Sequence, residues 1–253
     1  MLGEAATAVS DALTSTDDWG LTGGKPGLYR SDLVADEAAL SVLHRVGLPV
    51  LSEESGLSAP AAGASSGGGL LAVVDPLDGS TNASRRIPWF ATSLCVLDEL
   101  GPLAATVLNL VSGARFTALR GGGAFRDGEP ISTSGCGKLS RGVVGVSGYP
   151  KRYLGWKQFR ALGAVALDLC AVADGTLDGY VDCAYDAHGG WDYLAGMLVC
   201  SEAGGTVVDA LGRELTVRTH DARRTPVAGA TDELCRALAA ARRSAYEESS
   251  PGL

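Results

Sequence analysis

The 253-residue chain is poor in aromatic residues, at 6%, and has no paired-cysteine motif. Its six cysteines, Cys95, Cys136, Cys170, Cys183, Cys200 and Cys235, are scattered without the C-x-x-C spacing that holds zinc or forms a redox pair. Several lie in apolar stretches such as SLCVL and MLVCS, as buried reduced thiols do, and a disulfide framework is not expected in a chain of this length. Positive charge is also short: 21 Lys and Arg against 29 Asp and Glu leave a formal net charge of −8. A nucleic-acid polymer or an anionic membrane surface calls for a basic face, so neither is an expected partner. No apolar run approaches the ~20 residues that cross a bilayer. The opening MLGEAATAVSDAL lacks the basic stretch and apolar run of a signal peptide. Together these absences predict a cytoplasmic protein.

What is present is enough apolar residue, 46%, for a substantial core, and 35 glycines that suit tight turns. The length fits one large domain or two intimately packed ones. Helical spacing of apolar residues predicts a helix over 36–46, ended by Gly47. PVLSEES reads as a short strand entering a polar turn, and 57–69 as a surface loop. LLAVV, 70–74, reads as a strand, with DPLDGSTN directly after it. TSLCVLDEL, LAATVLNLV and ARFTALR read as antiparallel strands, and GGGAFRDGEPI as a hairpin turning at Asp127-Gly128. Beyond about residue 135, GVVGVSG and LDGYVD read as strands. RALGAVALDLCAVADG and WDYLAGMLVCSEAGG read as helices. TVVDA, a hairpin at LGREL, PVAGA and a helix from about Thr231 complete the chain. The pattern divides it into an N-terminal α+β half, 1–135, and a C-terminal α/β half, 136–253, the latter alternating strands with helices.

Three acidic clusters fall where strands end or helices begin: Glu53-Glu54, Asp75-x-x-Asp78 and Trp191-Asp192. In DPLDGSTN, Pro76 fixes the backbone between two acids, and Gly79 permits a left-handed turn or close approach by a ligand. Ser80, Thr81 and Asn82 can open a helix whose first N–H groups suit a phosphate. Hard carboxylate oxygens at this spacing suit Mg²⁺. Singly, each cluster is equally well a solvated turn or a helix cap.

Taken in order, EES, then DPLDGSTN, then WDYLAG resemble the EE pair, DPxDGT and WDxAAG of the inositol monophosphatase family of lithium-sensitive sugar phosphatases. The resemblance spans about residues 30–240. It implies a layered α-β-α-β-α sandwich with the site between the two halves, and a Mg²⁺-dependent phosphomonoesterase, usually a homodimer. It also implies roles. Glu53, Asp75 and the Leu77 carbonyl would hold one Mg²⁺, and Asp75, Asp78 and Asp192 a second, with Glu54 near a third. Ser80 stands at the family's threonine and would help hold the attacking water. Gly79, Ser80 and Thr81 would bind the phosphate side of the substrate, and Asp182 and Asp192 its alcohol side. Glu53, Asp75, Asp78 and Asp192 would repel one another if they met without a cation. Paired cations would cancel that charge and stabilise both attacking and leaving oxygens.

Near the N-terminus the family carries D-x-x-T-x-x-D after a lysine. SDLVADEAAL has a shorter spacing, with Ala35 where threonine stands. Asp36 is the candidate partner of Ser80 in activating water, with Asp32 second; either is also a plausible helix cap. Lys25 and Arg30 are candidates for the lysine. Asp186 and His188, in CAYDAHGG, are candidates for shaping the substrate pocket, as are Ser147 and Arg160-x-x-Gly163-Ala164. The expected substrate is a small polyol or sugar phosphate such as inositol monophosphate. Alternatives are fructose 1,6-bisphosphate, histidinol phosphate or a 3′-phosphorylated nucleotide, for which YPKRY would form a wall. A non-catalytic metal- or ligand-binding relative is the alternative from another class.

Overall fold

The computed structural model describes residues 1–24, 27–60 and 68–247. Lys25 and most of the expected loop at 57–69 thus lie outside the described residues. Leu2, Ala5, Ala6, Val9 and Leu13 make one buried face of a helix, α1 (Leu2–Thr14), which the search for targeting signals does not reveal. The helix expected from Asp36 begins earlier, as α2 (Arg30–Arg45). The reason is a cap: the Asp32 carboxylate accepts the Tyr29 N–H at 2.8 Å, which starts the helix before its apolar stripe does.

The first sheet has the order β2-β1-β3-β4-β5-β6-β7-β8. Its strands are β1 (Val50–Ser52), β2 (Gly56–Ser58), β3 (Leu71–Asp78), β4 (Ala91–Asp98), β5 (Gly101–Asn109), β6 (Arg115–Leu119), β7 (Gly123–Arg126) and β8 (Glu129–Pro130). The meander from β4 to β8 follows the expected strands and the Asp127-Gly128 turn. β2 occupies the start of the expected loop, folding back on β1. β3 runs past Val74 through the acidic motif, and α3 (Ser80–Ser84) follows it.

The second sheet has the order β10-β9-β11-β13-β12. Its strands are β9 (Val143–Ser147), β10 (Gln158–Arg160), β11 (Gly179–Asp182), β12 (Thr206–Asp209) and β13 (Pro226–Gly229). Two expectations change here. The helix read from Arg160 starts five residues later, as α4 (Val165–Ala173), because Arg160 pairs as the last residue of β10 alongside Gly145. No tight hairpin forms at LGREL. β12 does pair antiparallel with β13, but the chain between them runs through an irregular segment from Ala210 to Thr225.

Helices complete the layers. α1 and α2 cover one face of the first sheet; α4 and α5 (Gly190–Glu202) lie between the sheets; α6 (Asp232–Glu247) covers the outer face of the second. Three apolar cores fill the spaces. The largest joins Leu51, Val73, Cys95 and Val107 of the first sheet to Leu167, Leu169, Leu194 and Val199 of α4 and α5. This is the layered α-β-α-β-α sandwich. Among the described residues, no helix is long and apolar enough to cross a membrane.

Candidate active site

β3 is buried along its whole length, including Asp75 and Asp78. Three residues apart in a regular strand, their side chains would point to opposite faces. The pairing of β3 with β4 slips between them, so that Asp75 faces Ser93 and Asp78 faces Ala91. This bulge, at Pro76-Leu77, re-aims the chain. The Asp75 carboxylate accepts the Leu77 N–H at 3.0 Å, and the Asp78 carboxylate accepts the Ala166 N–H of α4 at 2.7 Å.

The neighbours of Asp75 bring in the other acids. β1 runs parallel to β3 with Ser52 opposite Val74. The Glu53 N–H continues that ladder onto the Val74 carbonyl, 3.1 Å away, which sets Glu53 beside Asp75. On the other side, the Ser93 hydroxyl donates to the Trp191 carbonyl at 3.0 Å, docking the start of α5 against β4. Asp192 is the third residue of α5, and its carboxylate accepts the Gly189 N–H at 2.7 Å. As a result Glu53, Asp75 and Asp192 each offer one oxygen, and these oxygens lie within 4.8 Å of one another.

So many acids at one place carry an electrostatic penalty. Burial, then the charges of Glu53, Asp78 and Asp192, push the Asp75 carboxyl well above its ordinary range. Burial and Asp192 do the same to Asp78. Burial, Asp192 and Glu54 raise Glu53 to about 8. An all-oxygen set of buried and half-buried acids, in which ionisation of Glu53, Asp75 and Asp78 is opposed until positive charge arrives, fits a hard divalent cation. Two or more cations between these acids would polarise a phosphoryl group and lower the pKa of water.

Around this centre the predicted residues take varied places. Gly79 has φ 86° and ψ 34°, and a Cβ there would come within 3.1–3.2 Å of the Trp89 and Gly163 carbonyls and the Ala164 side chain. The turn therefore requires glycine. Ser80 and Thr81 open α3, and the Asn82 amide donates to the Trp89 and Leu162 carbonyls at 2.7 and 2.8 Å. Asp36 is buried and accepts the Ser52 hydroxyl, one residue before Glu53. Asp182 is fully buried, accepts the Ala184 N–H at 2.8 Å and lies 3.7 Å from His188 Nε2. His188 Nδ1 is 3.6 Å from Asp192. Burial opposes the charge of this imidazole, but Asp182 and Asp192 outweigh it and raise the group to about 10. Asp186 pairs with Arg213 at 2.7 Å. Ser147 lies opposite Asp182 in the sheet, and Arg30 pairs with Asp18 at 2.9 Å.

A sequence profile of the inositol monophosphatase family matches residues 31–246. The chain belongs to the inositol monophosphatase family. A "Fructose-1,6-bisphosphatase/inositol-1-monophosphatase" of Archaeoglobus fulgidus is 33% identical over 213 residues, covering 81% of this chain and 79% of that one. A protein of the same name from Thermococcus kodakarensis is 35% identical over 207 residues, covering 80% and 77%. The solved structure of the extragenic suppressor protein suhB of Bartonella henselae is 27% identical, with a TM-score of 0.79 over 96% of this chain and 97% of that one. Inositol monophosphatase family membership makes the protein a phosphoric monoester hydrolase.

Some residues tied into the site escape the motif reading. Asp168 of α4 is buried, accepts the Trp89 indole N–H at 2.9 Å and is raised to about 7, chiefly by burial. A lone acid in the apolar run GAVALDLCAVA is a signal that could have found it. Arg242 of α6 is also buried, donating to the Asp182 and Ala184 carbonyls at 2.9 and 2.8 Å. His220 donates to the Glu53 carbonyl at 2.9 Å. Neither Arg242 nor His220 sits in a pattern that marks it.

Proposed function

We propose that the protein is a Mg²⁺-dependent phosphomonoesterase that hydrolyses a small polyol or sugar phosphate, such as inositol monophosphate. The observation that carries this reading is the convergence of the Glu53, Asp75 and Asp192 oxygens, from three remote stretches, within 4.8 Å. In this reading Glu53, Asp75, the Leu77 carbonyl, Asp78 and Asp192 hold two or three Mg²⁺ ions, whose Lewis acidity serves the phosphoryl group and the attacking water. The N–H groups of Gly79, Ser80 and Thr81 face the phosphate, and the Ser80 hydroxyl orients the water. Asp36, through Ser52, steadies the Glu53 turn and is the candidate base. Asp182 acts on the alcohol side through His188, and Asp192 borders that side directly.

The Archaeoglobus fulgidus and Thermococcus kodakarensis relatives carry a double name, so fructose 1,6-bisphosphate belongs beside inositol monophosphate in the test. Phosphate release is measured for both, for histidinol phosphate and for a 3′-phosphorylated nucleotide, with and without Mg²⁺. Turnover of at least one, abolished by EDTA, is expected; no release from any of them contradicts the reading. We further propose that residues 1–135 and 136–253 act as two halves with the site between them. Two copies would associate through the open edge strand β10, which exposes Phe159, and the loop before it, which exposes Tyr153. Sedimentation showing only monomer would end that proposal. The six unpaired thiols support a reducing, cytoplasmic setting, which cell fractionation tests.

A further inference from the structure

Residues 218–224, RTHDARR, cross between β12 and β13 without pairing in either sheet. They are held instead by contacts to loops and strand ends. The Arg218 guanidinium donates to the Asp98 carbonyl, at the end of β4 remote from the acids. His220 Nε2 lies 2.9 Å from the Glu53 carbonyl. The acceptor is a carbonyl, so Nε2 carries the proton. The His220 ring lies on the Trp191 indole, centroid to centroid 4.7 Å and 32° from parallel. The Arg223 guanidinium is 5.0 Å from the centre of the same indole and donates to the His220 carbonyl at 2.7 Å, tying the segment to itself. The Arg224 N–H donates to the His188 carbonyl at 2.8 Å. One strap thus grips the turn that carries Glu53, the residue before Asp192, and the loop that leads into α5.

Glu53 needs such a hold. It follows a strand of only three residues and enters a turn, and its side chain faces the charge of Asp192. Its N–H makes the last bond of the β1–β3 ladder, to the Val74 carbonyl, and the turn beyond it has no ladder to fix it. A tether on the Glu53 backbone, braced on the residue next to Asp192, holds that turn in place. Pre-ordered ligands bind a cation more tightly than ligands that must be gathered.

We propose that His220 is a positioning residue that fixes Glu53 against Trp191-Asp192, so that the strap 218–224 sets the spacing of the cation-binding oxygens. The proposal rests on the reading that these acids bind divalent cations, and its test separates the two. Mn²⁺ binding to the full-length protein is followed by electron paramagnetic resonance. His220→Phe keeps a ring over Trp191 and removes the donor; it should weaken Mn²⁺ binding by about 10-fold. His220→Gln keeps a donor and should recover most of that loss. A thermal melt of the metal-free variants accompanies each titration, because a merely structural role would lower the melting temperature and leave Mn²⁺ affinity unchanged. Unchanged affinity in His220→Phe, or a His220→Gln protein as weak as His220→Phe, overturns the positioning role alone. Should His220→Phe not fold, His220→Ala compared with His220→Gln reads the same contrast. Asp75→Asn is the control. A wild-type protein that binds no Mn²⁺, or binding that survives Asp75→Asn, overturns the cation reading and this proposal together.

Discussion

Asp78 joins the two sequence halves: it ends β3 and its carboxylate accepts the first turn of α4. Asparagine in its place keeps an acceptor oxygen for the Ala166 N–H but removes one charge from the proposed cation set. Asp78→Asn is therefore expected to lower phosphate release by about 100-fold or more. It should at the same time hold or raise the melting temperature of the metal-free protein, since the acid it replaces is pushed well above its ordinary range. Turnover near wild type would show that Asp78 has no part in the chemistry. The acids were legible in the sequence because two carboxylates around Pro76, followed by glycine, make an unusual string. Where each points was not legible: Asp75 meets Glu53 and Asp192 while Asp78 accepts the Ala166 N–H, on either side of a slip in the β3–β4 pairing that only the partner strand defines. Asp182 shows the opposite case. A bare strand-end acid reads as exposed, yet packing buries Asp182 and sets it beside His188; its hydroxyl-binding role was implied by the family resemblance alone.

At the scale of elements, α6 acts as a clamp on the loop after β11. Arg242 donates to two of that loop's carbonyls, and the Tyr246 hydroxyl donates to the Cys183 carbonyl. Truncating Arg242 leaves both acceptors buried without their charged donor. Arg242→Ala is expected to cost about 3 kcal/mol in urea unfolding; a loss below about 1 kcal/mol would show that the loop holds itself. Apolar strands bounded by clear turns, β4 to β8, could be read directly. Elements decided by a single contact could not. The start of α2 depends on a carboxylate cap at Tyr29, and β10 is a three-residue edge strand made by its pairing with β9. The irregular path from β12 to β13 is fixed by contacts to loops and strand ends and leaves no periodic trace.

For the whole molecule, the sandwich folds around a centre that is electrostatically unfavourable until a cation enters. Glu53 is raised from 4.5 to about 8, and Asp75 and Asp78 are raised as well. Between the ordinary carboxylate range and about pH 8 the metal-free folded chain thus binds more protons than the unfolded chain, so its stability falls as pH rises through that window. His188, raised from 6.5 to about 10, adds in the same direction above pH 6.5. In EDTA the melting temperature should drop by several degrees from pH 5 to pH 8, and Mg²⁺ should remove most of that slope. A flat profile in EDTA would mean that the acids are not strained as described. The layered architecture and the family were accessible from three short motifs in order, because those motifs sit at the strand ends and helix start that bring the acids together; the tethers that hold the loops were not. The central claim is that acids from three distant stretches share divalent cations, and anomalous scattering from Mn²⁺-soaked crystals tests it most directly. The account predicts at least one strong peak bounded by the carboxylates of Glu53, Asp75 and Asp192; density free of any such peak, with Mn²⁺ bound elsewhere or not at all, would contradict it.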